Sequence, residues 1–210
     1  VSPPPIIDGA GVRTFIGSLL AALLLGLSPA AAQDAWQPVE KVEPYAISGM
    51  TPPELYASMG ERGPEIGKGR RVIAHTNFRL TWQRDYQRRG NACVIASAKP
   101  KLIITYTLPK PANKLSAATR VRWEPFIAGI AAHEKVHGEY IIDMVRQIVA
   151  YSVGLTMEDD PNCKKIRTVL TQRLSELSQE QRQKGRDFDL VEMGNGGNIQ
   201  QLVLRLLNGV

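Results

Sequence analysis

The sequence predicts an α+β fold, a small antiparallel sheet packed beside a long helical hairpin, and three observations carry that prediction. Residues 71–86 (RVIAHTNFRLTWQRDY) and 92–109 (ACVIASAKPKLIITYTLP) are rich in β-branched and aromatic residues, the composition of strands that lie half buried in a sheet. After Pro109 and Pro111 the apolar residues recur at helical spacing through Phe126, Ile130, Ile141, Met144 and Ile148, which places them on one stripe. Asp159, Asp160 and Pro161 interrupt, and a second helical pattern runs through Ile166, Leu170, Leu174 and Leu177.

In chain order, Arg13 precedes an apolar run from Phe15 to Leu27 that ends in Ser28-Pro29-Ala30-Ala31-Ala32. That run is too short to span a bilayer comfortably, and Ala30-x-Ala32 fits a signal-peptidase site before Gln33. Residues 1–32 therefore read as a signal peptide and residues 33–210 as a single domain, since 210 residues suffice for one ordinary core but not two large ones. Residues 33–68 are rich in turn formers, with room for a short strand at Val42–Ser48 and a short helix at Pro52–Met59, capped by Thr51. The two strand-like stretches are joined by a polar linker, Arg88 to Asn91, as in a hairpin. Ser116 can cap the first long helix, and the Gly194–Gly197 cluster stops the second. An amphipathic segment from Ile199 to Leu207 closes the chain. The sheet should thus occupy residues about 42–109 and the hairpin about 116–192.

The net charge of +6 is basic without being extreme. The cationic residues, among them Lys68, Arg70, Arg71, Arg84, Arg88 and Arg89, form no aromatic-lined platform. A nucleic-acid partner is therefore not expected. Export favours pairing of the two cysteines, Cys93 and Cys163, and a bridge closing so long a loop contributes about 4 kcal/mol by loop-entropy reasoning. Stable membrane insertion is not expected once the signal peptide is removed, and the oligomeric state is left open.

Within the first helical pattern residues 133–137 read HEKVH. Random placement of this chain's own histidines and glutamates would produce about 0.002 such H-E-x-x-H matches. Positions four apart on a helix lie one turn apart on nearly the same face, so His133 and His137 can offer imidazole nitrogens to one ion. They also fall on the stripe of Phe126, Ile130, Ile141 and Met144, which turns them inward. Glu134 lies about 100° round the helix, beside the ion rather than on it. There it can act as the base that takes a proton from a water activated by the metal. Structural zinc sites are usually closed by four protein ligands, often cysteines, whereas two histidines and a third ligand leave a position open for reaction.

The third ligand has several candidates: His75, Glu180, Asp187, Asp189 and Glu192. If the two helices turn back near Asp159, residues about 178–183 lie level with the histidines, and Glu180 has the right height but lies off the apolar stripe. Glu192 is in register with Leu170, Leu177 and Phe188, and it is the residue expected to complete the site. The sheet edge offers a place where an extended peptide could add as a strand.

Tyr45-Ala46-Ile47-Ser48-Gly49, the strand pair with Trp82 and Cys93, Thr107-Leu108-Pro109, Trp123, HEKVH, Cys163 and Phe188-Asp189 together resemble the bacterial domain-of-unknown-function 922 family. That family is described as predicted secreted zinc-dependent proteases, and the likeness runs from about Lys41 to Asn198. The resemblance implies zinc (Zn2+) on His133 and His137, Glu134 as general base and an exported enzyme. Family members often carry a tyrosine-aspartate pair followed by a threonine and a histidine-glycine, a natural third-ligand position. Here the corresponding stretch, Phe188 to Gly196, has no histidine. The expectation is an exported metallopeptidase acting on a peptide or protein substrate; the alternative is a periplasmic metal-binding or structural module without turnover.

Overall fold

The computed structural model describes residues 36–209, and the signal-peptide reading of residues 1–32 lies outside them. Strand β1 (Val39–Ile47) leads into helix α1 (Pro52–Arg62), a two-residue ribbon of β2 (Glu65–Ile66) and β3 (Arg70–Arg71), and then the long hairpin β4 (His75–Arg89) and β5 (Ala92–Pro111). Helix α2 (Ala117–Ser152), the short strand β6 (Thr156–Met157), helix α3 (Lys164–Met193) and helix α4 (Asn198–Asn208) complete the chain.

The fold is α+β as expected, but its sheet is mixed rather than antiparallel. β5 lies in the centre with β4 antiparallel on one side and β1 parallel on the other, Val39 opposite Ile103 and Ile47 opposite Pro111. Parallel neighbours need a long crossover, and the segment carrying α1, β2 and β3 supplies it. That segment takes the chain from one edge of β5 to the other before the hairpin begins. A short strand pattern in the sequence carries no sign of its partner's direction, so this feature was not readable from residues 42–48.

The caps are those the sequence marks. Ser116 Oγ accepts from the Thr119 amide at 3.2 Å to open α2, and Glu54 accepts from the Met50 and Thr51 amides at 2.7 and 3.1 Å at the start of α1. Gly90 at the hairpin tip has a φ of 63°, the left-handed conformation that favours glycine.

Helices α2 and α3 run antiparallel over one face of the sheet, with Leu102, Ile104 and Tyr106 of β5 buried against Ile141, Ile142, Met144, Val145 and Ile148 of α2 and Leu177 of α3. A second cluster joins Ile47, Leu55 and Met59 to Trp123, Phe126 and Ile130 of α2 and to Ile199, Leu202 and Leu206 of α4. The HEKVH segment falls on α2 between these two clusters. A third cluster surrounds the Cys93–Cys163 disulfide with Ile95, Ile166 and Leu170.

The connection between the helices is not a tight turn. Residues of β6 pair with Cys93 and Val94 of β5, Asn91 Nδ2 donates to Asp159 Oδ1 at 2.6 Å, and the disulfide ties the start of α3 to the same strand. The sheet therefore sets the register of α3 against α2. His137 lies against Gly185, and His133 against Asp189, further along α3 than a turn centred on Asp159 would place them.

Candidate metal centre

The apolar stripe of α2 delivers His133 and His137 to the seam with α3, as their spacing predicts. His133 Nε2 and His137 Nε2 stand 3.2 Å apart, and Asp189 Oδ1 of α3 lies 3.2 Å from the first and 2.8 Å from the second. Three ligand-type atoms thus form a nearly equilateral triangle. Zinc bound to nitrogen and oxygen at about 2.0–2.2 Å in tetrahedral geometry has ligand atoms roughly 3.3 Å apart, so this triangle matches one face of such a site with slight expansion. The donor set fits a divalent zinc ion, and among the described residues no fourth His, Cys, Asp or Glu joins the group.

The charges of the site bind it together without a metal as well. Burial acts to lower the His137 pKa, but the hydrogen-bonded Asp189 carboxylate, with Glu134 nearby, holds it above the ordinary histidine value. Burial likewise acts to raise Asp189, and the hydrogen bonds from His133 and His137 override it, holding that carboxyl well below the usual carboxylate range.

Phe188 backs the pair. Its ring stacks on His133 at 4.8 Å and meets His137 edge-on at 5.5 Å. Gly185 of α3 faces the His137 ring, where a Cβ would make an ordinary contact with Nδ1 at 3.4 Å.

Glu134 is buried and hydrogen-bonded to the sheet. The Thr76 hydroxyl on β4 donates to Glu134 Oε2 at 2.6 Å and lies 3.0 Å from the Glu134 carbonyl oxygen. The helix therefore presents two imidazoles to one neighbour and a carboxylate to another. Gly138 lets it do so at close range: a Cβ there would fall 2.1 Å from the Tyr106 hydroxyl, which itself donates to Glu40 at 2.8 Å.

Residues 42–197 match the family model of the bacterial proteins of unknown function DUF922. The chain belongs to the DUF922 family. The matched span takes in Thr76, the HEKVH helix, Asp189 and Glu192, so the whole constellation lies within the DUF922 region. No curated protein and no solved structure matched the chain.

The other candidates of this DUF922 chain fall outside the triangle. Glu192, the residue expected to complete the site, stands on the far side of the His133 ring, with Oε2 3.7 Å from Nδ1, and it accepts from Asn198 Nδ2 at 3.0 Å. Asp189 holds the third corner instead. Asp187 accepts from Gln183 at 2.7 Å, Glu180 accepts from Arg173 at 3.3 Å, and His75 opens β4 opposite Thr107. Thr76 was not foreseen, because one threonine in a strand carries no mark of a partner far along the chain.

Proposed function

We propose that this DUF922 chain is an exported zinc-dependent metallopeptidase. The observation that supports it most is the convergence of His133 Nε2, His137 Nε2 and Asp189 Oδ1 beside a buried glutamate. Such a set suits zinc with one open position, and a divalent ion held there supplies Lewis acidity. The remaining roles fall to the chain's own groups. Glu134 takes the proton of the attacking water and passes it to the departing amine. Thr76, hydrogen-bonded to Glu134 Oε2, keeps that carboxylate in one rotamer. Asp189 and Phe188 hold the two imidazoles at a fixed separation.

The substrate is a peptide or protein. β4 is an outer strand of the sheet among the described residues, and Thr76 near its start touches Glu134, so a chain added along β4 would pass the base. Export is supported by the Cys93–Cys163 disulfide, a bond favoured in oxidising compartments. No helix of the described residues is long and apolar enough to cross a membrane.

The test combines zinc content by elemental analysis with cleavage of a peptide library by the wild type and Glu134→Gln. The variant should keep its zinc and lose about 10²- to 10⁴-fold in rate, the range for removal of a general base. Equal cleavage by both proteins would remove Glu134 from the mechanism. Tight zinc binding with no chelator-sensitive hydrolysis would assign the chain instead to the non-catalytic metal-binding class.

A further inference from the structure

His133 Nδ1 is buried and has no hydrogen-bond partner, on a side chain that is 3% exposed. Buried polar atoms are almost always paired. The group facing this one is Glu192 Oε2 at 3.7 Å, too far for a hydrogen bond and close enough for a small side-chain adjustment to make one. Glu192 is itself held from behind, since its Oε2 accepts from Asn198 Nδ2 at 3.0 Å. Asn198 opens α4, which is anchored in the core through Ile199, Leu202 and Leu206.

We propose that Glu192 is a positioning residue for His133, held in place by Asn198, and that it keeps the proton of that imidazole on Nδ1. The inference rests on the metal reading of the site. A neutral imidazole carries one N–H, and only when that hydrogen sits on Nδ1 does Nε2 present its lone pair to the centre shared with His137 and Asp189. Asp189 opposes this at Nε2 of His133, but it lies nearer to His137 Nε2, at 2.8 Å against 3.2 Å. A zinc ion held there would need the lone pairs of both Nε2 atoms, so the His133 proton would sit on Nδ1, facing Glu192. Glu192 then acts on the metal through a ligand rather than as one.

The experiment measures zinc affinity by chelator competition for the wild type, Glu192→Ala, Glu192→Gln and Asn198→Ala. The Hδ1 proton of His133 is followed by NMR in the zinc-loaded proteins. Glu192→Ala should weaken zinc about 10- to 100-fold, the usual effect of removing an outer hydrogen-bond partner. Glu192→Gln, whose amide oxygen still accepts from Nδ1, should recover most of that loss, and Asn198→Ala should show a smaller loss than Glu192→Ala. The His133 Hδ1 resonance should lie far downfield in the wild type and move upfield in Glu192→Gln.

If Glu192 bound zinc directly, Glu192→Gln would be as weak as Glu192→Ala, and the proposal would fall. It would fall equally if Glu192→Ala bound zinc like the wild type. A wild-type chain that binds no zinc would instead overturn the metal reading itself, and this inference with it.

Discussion

Thr76 is the side chain on which the orientation of the proposed base depends. Its hydroxyl meets Glu134 Oε2 at 2.6 Å, and a hydrogen bond to a charged group is worth about 1.5–3 kcal/mol. Thr76→Val keeps the shape of the residue and removes the donor, so the expected outcome is a fall in kcat of roughly 10- to 100-fold with zinc content unchanged. Thr76→Ser should restore most of the rate. Asp189 belongs to the other half of the site, and Asp189→Ala should lower zinc affinity further than Glu192→Ala does, because it removes a corner of the triangle. A titration in which the two variants matched the wild type would refute the assignment. HEKVH was legible because helical spacing brings those residues together without help from elsewhere in the chain. Asp189 stood only among several acids, since choosing between it and Glu192 needs the rotation of α3 to within a fraction of a turn.

The elements hold this geometry through a few close contacts. The connection from α2 to α3 is pinned by the Cys93–Cys163 bridge, which spans 70 residues. The double variant Cys93→Ser/Cys163→Ser should have an unfolding free energy about 4 kcal/mol below that of the wild type, read by denaturant titration. Asp160 is a second pin. It is buried, with Oδ1 accepting from the Lys164 amide at 2.7 Å and Oδ2 from the Ile166 amide at 2.9 Å.

Burial acts to raise the Asp160 pKa, and the amides of Ile166, Lys165 and Lys164 prevail and hold it below the ordinary carboxylate value. The unfolded chain thus binds this proton more readily than the folded one. The stabilisation is complete above the ordinary aspartate range and is lost as pH falls through the depressed folded value. Asp160→Asn should flatten the acid limb of the stability profile, and an unchanged limb would rule the cap out as its source. At Gly138, alanine gains helix propensity but collides with the Tyr106 hydroxyl. Gly138→Ala should therefore destabilise by about 1–3 kcal/mol, the usual range for overpacking.

Across the whole molecule the candidate centre occupies the seam between two hydrophobic clusters, one shared by α2, α3 and the sheet and the other by α1, α2 and α4. α4 enters the second cluster with Leu206 fully buried, and Leu202 sits over Gly129 so closely that a Cβ there would lie 2.3 Å from Leu202 Cδ1. Leu206→Ala should cost about 2–5 kcal/mol in stability, measured by thermal or denaturant unfolding. A smaller loss would mean that α4 docks through its other side chains. By itself the sequence determined the α+β content, the long helices with their caps, the cysteine pair and the two histidines with their neighbouring glutamate. Each of these is a local pattern, written in residues a few positions apart or in composition alone. Only the tertiary structure decided that β1 runs parallel to β5, that Asp189 rather than Glu192 faces the two imidazoles, and that Thr76 holds Glu134. Those outcomes depend on how separate elements slide and rotate against one another, and here the sheet sets that register through its ties to the connection between α2 and α3.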